Sequence, residues 1–192
     1  MSTAAEPATH SAHPFALELL QSVVDVARAI FGAQASSVFL LDEETNELVF
    51  QAVSGQGEES LVGRRFPADR GIAGWVTTSG EPMIVDRLSQ NSAFDRTFAQ
   101  STRYVPDALM AVPLLHDHRT LGVLEVLDPA PQTRSSLGEL ELLSMFGRQA
   151  ATALRLVTHH QPPGRALAPG DHVKANRLLT ELQELLNAPG TH

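Results

Sequence analysis

The sequence predicts an α+β domain (α/β in the broad sense). It has a central antiparallel sheet of five to six strands, helices on one face and a loop-covered pocket on the other. Three observations carry this. Two pairs of β-rich runs, 38–41 with 48–53 and 108–115 with 121–127, are each joined by a short polar turn, which is the pattern of a hairpin. Apolar residues recur at three- and four-residue spacing in 14–31 and 137–157, so a helix flanks the strand region on either side. Hydrophobic residues make up 43% of the 192, enough for one packed domain with appendages.

In chain order, 1–13 is small, polar and aperiodic, and reads as a flexible arm before a domain spanning 14–158. Pro14 suits the first turn of a helix that runs to Phe31 and stops at Gly32. This helix carries two apolar stripes, Leu19, Val23, Val26, Ile30 and Leu20, Val24, Ala27, Phe31. One stripe suffices to lie on a sheet, so the second predicts a further partner, most simply a second copy of the chain. The turn 42–46 closes the first hairpin, 55–59 is a loop, and 61–66 is expected as a short strand ended by Pro67.

Arg70-Gly71-Ile72-Ala73-Gly74-Trp75-Val76 then reads as a turn entering a short helix, stopped at Gly80, and 83–85 as a short strand. Residues 87–107 carry few signals beyond Phe94 and Phe98, four apart as on one helical face. A loop with one short helix is expected there, and long irregular segments inside compact domains are often binding loops. Ser136-Leu137-Gly138-Glu139 has the form of a capping box opening the 137–157 helix. Prolines and glycines in 159–172 mark a linker, and 173–187 forms a C-terminal amphipathic helix with Leu178, Leu182, Leu185 and Leu186 on one face. A helix that short is marginal alone and needs a surface to dock on.

Composition removes several functions. A net charge of −8 argues against nucleic-acid binding, which needs a basic face. The absence of Cys excludes thiol nucleophiles, thiolate-held clusters and thioether-linked chromophores. The apolar runs are too short to span a bilayer and no signal-peptide order is present, so a cytoplasmic protein without a membrane partner is expected. The eight His include His116-x-His118 on a turn and His159, His160 and His172 at the linker, none with metal-ligand spacing, so no metal or haem is expected. No nucleophile elbow or phosphate-binding Walker loop is present either.

Gly71-Ile72-Ala73-Gly74-Trp75-Val76, Gly80-Glu81-Pro82-Met83-Ile84-Val85-Asp86, Met110-Ala111-Val112-Pro113-Leu114 and Leu121-Gly122-Val123-Leu124-Glu125-Val126 resemble the GAF domain in order and spacing, over residues 16–157. The resemblance implies a GAF/PAS-like fold and a sensory or regulatory module without catalytic activity of its own. Members that attach bilins, and the free methionine sulfoxide reductases of this fold, work through Cys, which is absent here. Against the signature of the cyclic-nucleotide subgroup, this chain offers Asn91, Phe94 and Asp95 but no Lys nearby.

The candidate ligand-binding residues are Gly71, Gly74, Trp75, Phe94, Phe98, Tyr104, Met110 and Glu125. The Gly71-x-x-Gly74 turn puts free N–H groups at a helix start, or simply permits a tight turn and close packing, which is the more common use. The rings and Met110 line a pocket for a planar ligand or close the core. Glu125 lies in an apolar strand. It pairs with Arg103 or Arg119, receives a ligand N–H, or sits at an exposed edge, the commonest outcome.

The expected mechanism is a homodimer through the 14–31 and 137–157 helices. An unidentified small ligand orders the 86–107 segment and shifts the helix pair. Output passes to a separate effector protein through 173–187. Two other readings stay open: a dimeric scaffold whose pocket its own side chains fill, and, less favoured, an enzyme of the same fold.

Overall fold

The structure, a computed structural model, describes residues 14–56, 58–102, 104–133 and 137–159. The arm 1–13, nearly all of the 159–172 linker and the 173–187 helix lie outside them. Six antiparallel strands form one sheet: β1 (Ala35–Asp42), β2 (Glu47–Gly55), β3 (Arg65–Pro67), β4 (Met83–Asp86), β5 (Ala108–His116) and β6 (Arg119–Leu127). Their spatial order is β3-β2-β1-β6-β5-β4. The two hairpins therefore sit side by side, joined through β1 and β6, with the short strands at the edges.

Both hairpin turns use residues that tolerate a left-handed backbone. In the first, the Asp42 carboxylate accepts from the Glu44 and Thr45 amides at 3.1 and 3.3 Å, and Asn46 takes φ 53°. In the second, Asp117 and His118 adopt φ 48° and 63°. Pro113, with no N–H to donate, lies past the end of β4, and the β5–β6 register slips between it and Leu115.

The helices are α1 (Pro14–Ile30), α2 (Glu58–Leu61), α3 (Gly71–Ser79), α4 (Arg96–Ser101) and α5 (Leu137–His159). The 61–66 segment expected as a strand is instead the end of α2, a turn and only the start of β3. Once Leu61 is buried as a helix end, its amphipathic pattern no longer has to follow a strand. Gly80 closes α3 as expected, with φ 69° and its amide on the Val76 carbonyl. Ser136 of the capping box falls outside the described residues.

Alternation along the strands divides the interior in two. On one face, Leu20, Val24, Ala27 and Phe31, one of the two stripes of α1, join Leu143, Ala150, Ala151 and Leu154 of α5 over Val38, Val112, Leu124 and Val126. Gln21 donates to the Val53 carbonyl and Arg28 to the Ser54 hydroxyl, both at 3.0 Å, which ties α1 to β2. Phe39, Phe50, Phe66, Leu109 and Val123 face the other way, toward α3 and the 87–107 segment. Phe39 meets Phe50 and Phe66 edge-on at centroid distances of 4.4 and 5.1 Å, contacts worth about 0.5–1.5 kcal/mol each beyond burial. Both flanking helices thus pack on one face and leave the other to the site.

Candidate functional site

A cavity of about 550 Å³ opens between that second face and the irregular segment over it, a volume suited to a small organic molecule. Its floor is apolar, built on Phe39, Phe50, Phe66, Leu109 and Leu127. The N-terminus of α3 forms one wall through Arg70, Gly71, Ile72 and Ala73. No side chain caps this helix start, and its ladder begins only with the Gly74 amide on the Arg70 carbonyl.

The roof is the 87–107 segment, a 3-10 turn at Leu88–Gln90 followed by α4. Phe94, Asp95, Thr97, Ser101, Thr102 and Tyr104 contribute to it. Two clasps hold it down. Arg64 donates to the Ser101 hydroxyl at 3.0 Å and to its carbonyl at 3.3 Å. At the other end the Tyr104 hydroxyl donates to Asp128, whose second carboxylate oxygen accepts from the Asp107 and Ala108 amides at 2.9 and 3.0 Å. The part-buried bonds of Asp128, to Tyr104 and the Ala108 amide, are worth about 1.5–3 kcal/mol each, and the exposed bonds to the Asp107 amide and from Arg64 less, because solvent screens them. Asp128→Ala is therefore expected to speed limited proteolysis within 87–107 several-fold while the sheet stays protected. Tyr104→Phe, which loses one bond of the three, should act more weakly; equal cleavage of all three proteins would show that the clasp does not hold the roof.

Glu125 is the singular group of the floor. It sits in β6, paired with Ser37 of β1 and Ala111 of β5, so it is in the middle of the sheet. The expected edge exposure does not hold: Glu125 is 8% exposed. Arg119 is not its partner either, being bound to Glu43 at 2.7 Å on the surface, and Arg103 lies outside the described residues. Among the described residues no cation pairs with the Glu125 carboxyl, and it lines the cavity. Burial alone pushes its pKa up to about 7.

The other candidates divide. Gly71, Phe94 and Tyr104 line the cavity with Glu125. Gly74 does not; a Cβ there would stand 2.9 Å from the Ala68 carbonyl oxygen and the Asp69 carbonyl carbon, so its smallness serves close packing of α3 on the preceding turn. Trp75 points away from the cavity and is 41% exposed. Phe94 precedes α4 rather than sharing a helical face with Phe98, and the Phe98 side chain is outside the described residues.

Met110 requires a correction. It is fully buried among α1, α5 and the opposite sheet face, because Leu109 and Ala111 alternate toward the cavity instead. An unslipped hairpin closed by the His116–Arg119 pair would set Met110 opposite Glu125, whereas the slip past Pro113 sets Ala111 there. Sequence reading missed Ser37, Phe39 and Phe50, whose place on the floor follows from cross-strand register. The one available signal was the alternation of β1 and β2.

Among the described residues no group of three His, Asp or Glu converges as a metal site, and no helix is long and apolar enough to cross a membrane.

Comparison with known proteins bears on the family and the fold. The family model described as the GAF domain matches residues 16–154. The alpha' subunit of the cone cGMP-specific 3',5'-cyclic phosphodiesterase of Mus musculus is 32% identical over 91 residues, 47% of this chain and 11% of that protein. A probable 3',5'-cyclic phosphodiesterase of Caenorhabditis elegans is 24% identical over 115 residues, 55% of this chain and 16% of that protein. The chain thus spans a small part of these relatives.

Among solved structures, the GAF domain of a phosphoenolpyruvate-protein phosphotransferase from Coxiella burnetii superposes with a TM-score of 0.69 at 19% identity, covering 77% of this chain and 87% of that one. The second GAF domain of DevS from Mycobacterium smegmatis gives 0.62 at 18% identity, covering 76% and 97%. A free methionine-R-sulfoxide reductase from Neisseria meningitidis, solved with its substrate, gives 0.59 at 22%, covering 73% and 80%. These likenesses are of fold.

Proposed function

The chain belongs to the GAF domain family, and from that premise we propose that it is a non-catalytic, cytoplasmic sensory module that binds a small molecule and signals through a homodimer to a separate partner. The observation that carries the reading is the cavity: about 550 Å³, aromatic-floored, walled by an uncapped helix start and roofed by a clasped segment. A scaffold that fills its own pocket would have Trp75 and Tyr104 packed into that space. Trp75 is instead on the surface, which weighs against the scaffold.

The dimer is supported by the second stripe of α1. Of its members Val26 and Ile30 are 41% and 50% exposed while Leu19 and Val23 are half-buried, and Leu142 and Met145 of α5 are 37% and 49% exposed. A second copy that covers these side chains removes apolar surface from water, the usual driving term of association. In this mechanism a ligand holds the 87–107 roof closed and α1 and α5, packed on the reverse of the same sheet, shift at the dimer interface. Output to the effector is assigned to 173–187.

Native mass spectrometry of the purified protein beside a denatured control tests both parts. A dimer mass with an additional small-molecule mass that denaturation removes is expected. A bare dimer that stays bare after incubation with metabolite extract overturns the sensor in favour of the scaffold. The double variant Val26→Asp, Ile30→Asp is expected to sediment as a folded monomer, with dimer affinity reduced at least about 100-fold by two charges placed in an apolar contact. A wild-type monomer at high micromolar concentration overturns the dimer.

A further inference from the structure

We propose that the ligand of this cavity is an organic cation, an apolar body ending in an ammonium or related N–H-bearing cationic group that pairs with Glu125. The inference rests on the cavity being a ligand site and names the chemical class that fits it.

The argument begins with a carboxyl group the fold does not need. A buried polar group without a partner is costly, and native proteins retain few. Glu125 is more than nine-tenths buried, central in the sheet, and without a cation or hydrogen-bonding side chain among the described residues. Its neighbours across the strands, Ser37 and Ala111, carry no charge. The one free direction is the cavity it lines.

The rest of the lining brings no buried cation among the described residues. The other charged residues on the cavity wall are Asp95 in the roof and Arg70 at the start of α3, and Arg70 is exposed at the rim. Tyr104 is the remaining titratable group, and its hydroxyl is engaged by Asp128. Glu125 is therefore the deeply buried charged group of this lining, and the lining cation among the described residues, Arg70, is held in solvent at the rim. An anionic group is favoured at the α3 start and Arg70, on the wall and rim, whereas placed against Glu125 on the floor it would meet a like charge once that carboxyl ionises. An ammonium there would gain an ion pair in a low-dielectric setting, the situation in which such pairs are strongest. Phe39, Phe50 and Phe66 around it supply apolar contact for the body of the ligand and ring faces for the cation.

Binding is then linked to a proton. The free carboxyl is half protonated near neutral pH, and only its ionised form takes the cation. A cation therefore displaces a proton as it enters, and affinity rises with pH through about 7 and levels above it.

The test uses three shape-matched probes on the full chain: 2-phenylethylamine, 2-phenylethanol and 3-phenylpropionate, titrated by calorimetry at two pH values. The amine is expected to bind best, about tenfold more tightly at pH 8 than at pH 6, as titration of one carboxyl requires. In buffers of differing ionisation enthalpy it should release close to one proton per ligand at pH 6 and close to none at pH 8. Glu125→Gln is expected to remove both the preference and the pH dependence. The variant should keep its fold and dimer state by circular dichroism and sedimentation.

Equal or tighter binding of the alcohol or the acid to the wild type overturns the cation while leaving the ligand site standing. Amine binding unchanged in Glu125→Gln also overturns it. If no probe binds and the protein also stays bare in native mass spectrometry, the sensory reading itself fails, and the cation with it.

Discussion

Glu125→Gln is expected to raise the melting temperature of the ligand-free protein at pH 8 and to leave it nearly unchanged at pH 5. The folded-state pKa is about 7 against an ordinary 4.5, so the native protein holds a proton that the unfolded chain has already released between these values. Stability therefore falls as pH rises from about 4.5 to about 7 and is flat above, where the full cost of the buried charge is present. At about 1.4 kcal/mol for each tenfold change in proton affinity, that cost is about 3 kcal/mol. Removing it corresponds to about 6–12 °C in a domain of this size. The buried amide retains part of the desolvation cost, so the measured gain should fall toward the lower end.

Thermal unfolding of both proteins at both pH values decides the matter. Equal gains at pH 5 and pH 8 would mean that the substitution acts through packing and that Glu125 is not a buried charge. The same reasoning predicts that a bound cation stabilises the wild type most at alkaline pH.

Gly122→Ala is expected to be strongly damaging to the sheet. A Cβ at this position would stand 2.0 Å from the Phe39 carbonyl oxygen and 3.0 Å from Leu40 Cα. Both obstacles are backbone of β1, the strand that joins the two hairpins through β6. No rotamer change relieves the clash, and the β1–β6 ladder must part where Leu40 faces Gly122. Overpacking of this kind costs about 1–3 kcal/mol when side chains can yield. With only backbone to move, about 3 kcal/mol or more is expected, read as a lowered denaturation midpoint or as insoluble protein.

Gly147→Ala is the comparison. Its Cβ would lie 3.1 Å from the Pro113 oxygen and from a Val112 methyl, and α5 can shift by tenths of an ångström. The gain of about 1 kcal/mol in helix propensity offsets that strain, so a near-neutral effect is expected. A mild Gly122→Ala phenotype would show that β1 and β6 are less tightly joined than the geometry requires.

Much of this architecture is carried by local pattern. The two hairpins, the α3 stop at Gly80 and the packing stripe Leu20, Val24, Ala27, Phe31 are written in period and turn chemistry. They depend on neighbours a few residues away. The same holds for the absence of thiol chemistry, which composition alone establishes. Of the site, Gly71, Phe94, Tyr104 and Glu125 were legible because each breaks a local rule: a glycine before a helix, aromatic rings in a polar segment, an acid in an apolar strand.

What tertiary structure decided is which of these groups share a space. Because side chains alternate along a strand, a one-residue slip exchanges every residue between the two faces. The bulge between Pro113 and Leu115 is such a slip, and it sends Met110 to the helices and Ala111 to the side of Glu125. The floor formed by Ser37, Phe39 and Phe50 likewise depends on β1 lying beside β6, a pairing between residues far apart in the chain. Trp75 went outward because α3 turns its other face, Ile72, Ala73 and Val76, to the sheet. Period and composition determined the elements and their buried faces, since these are local balances of propensity and hydrophobic burial. Register and long-range pairing decided the pocket, since one inserted residue or one strand neighbour chooses which side chains meet.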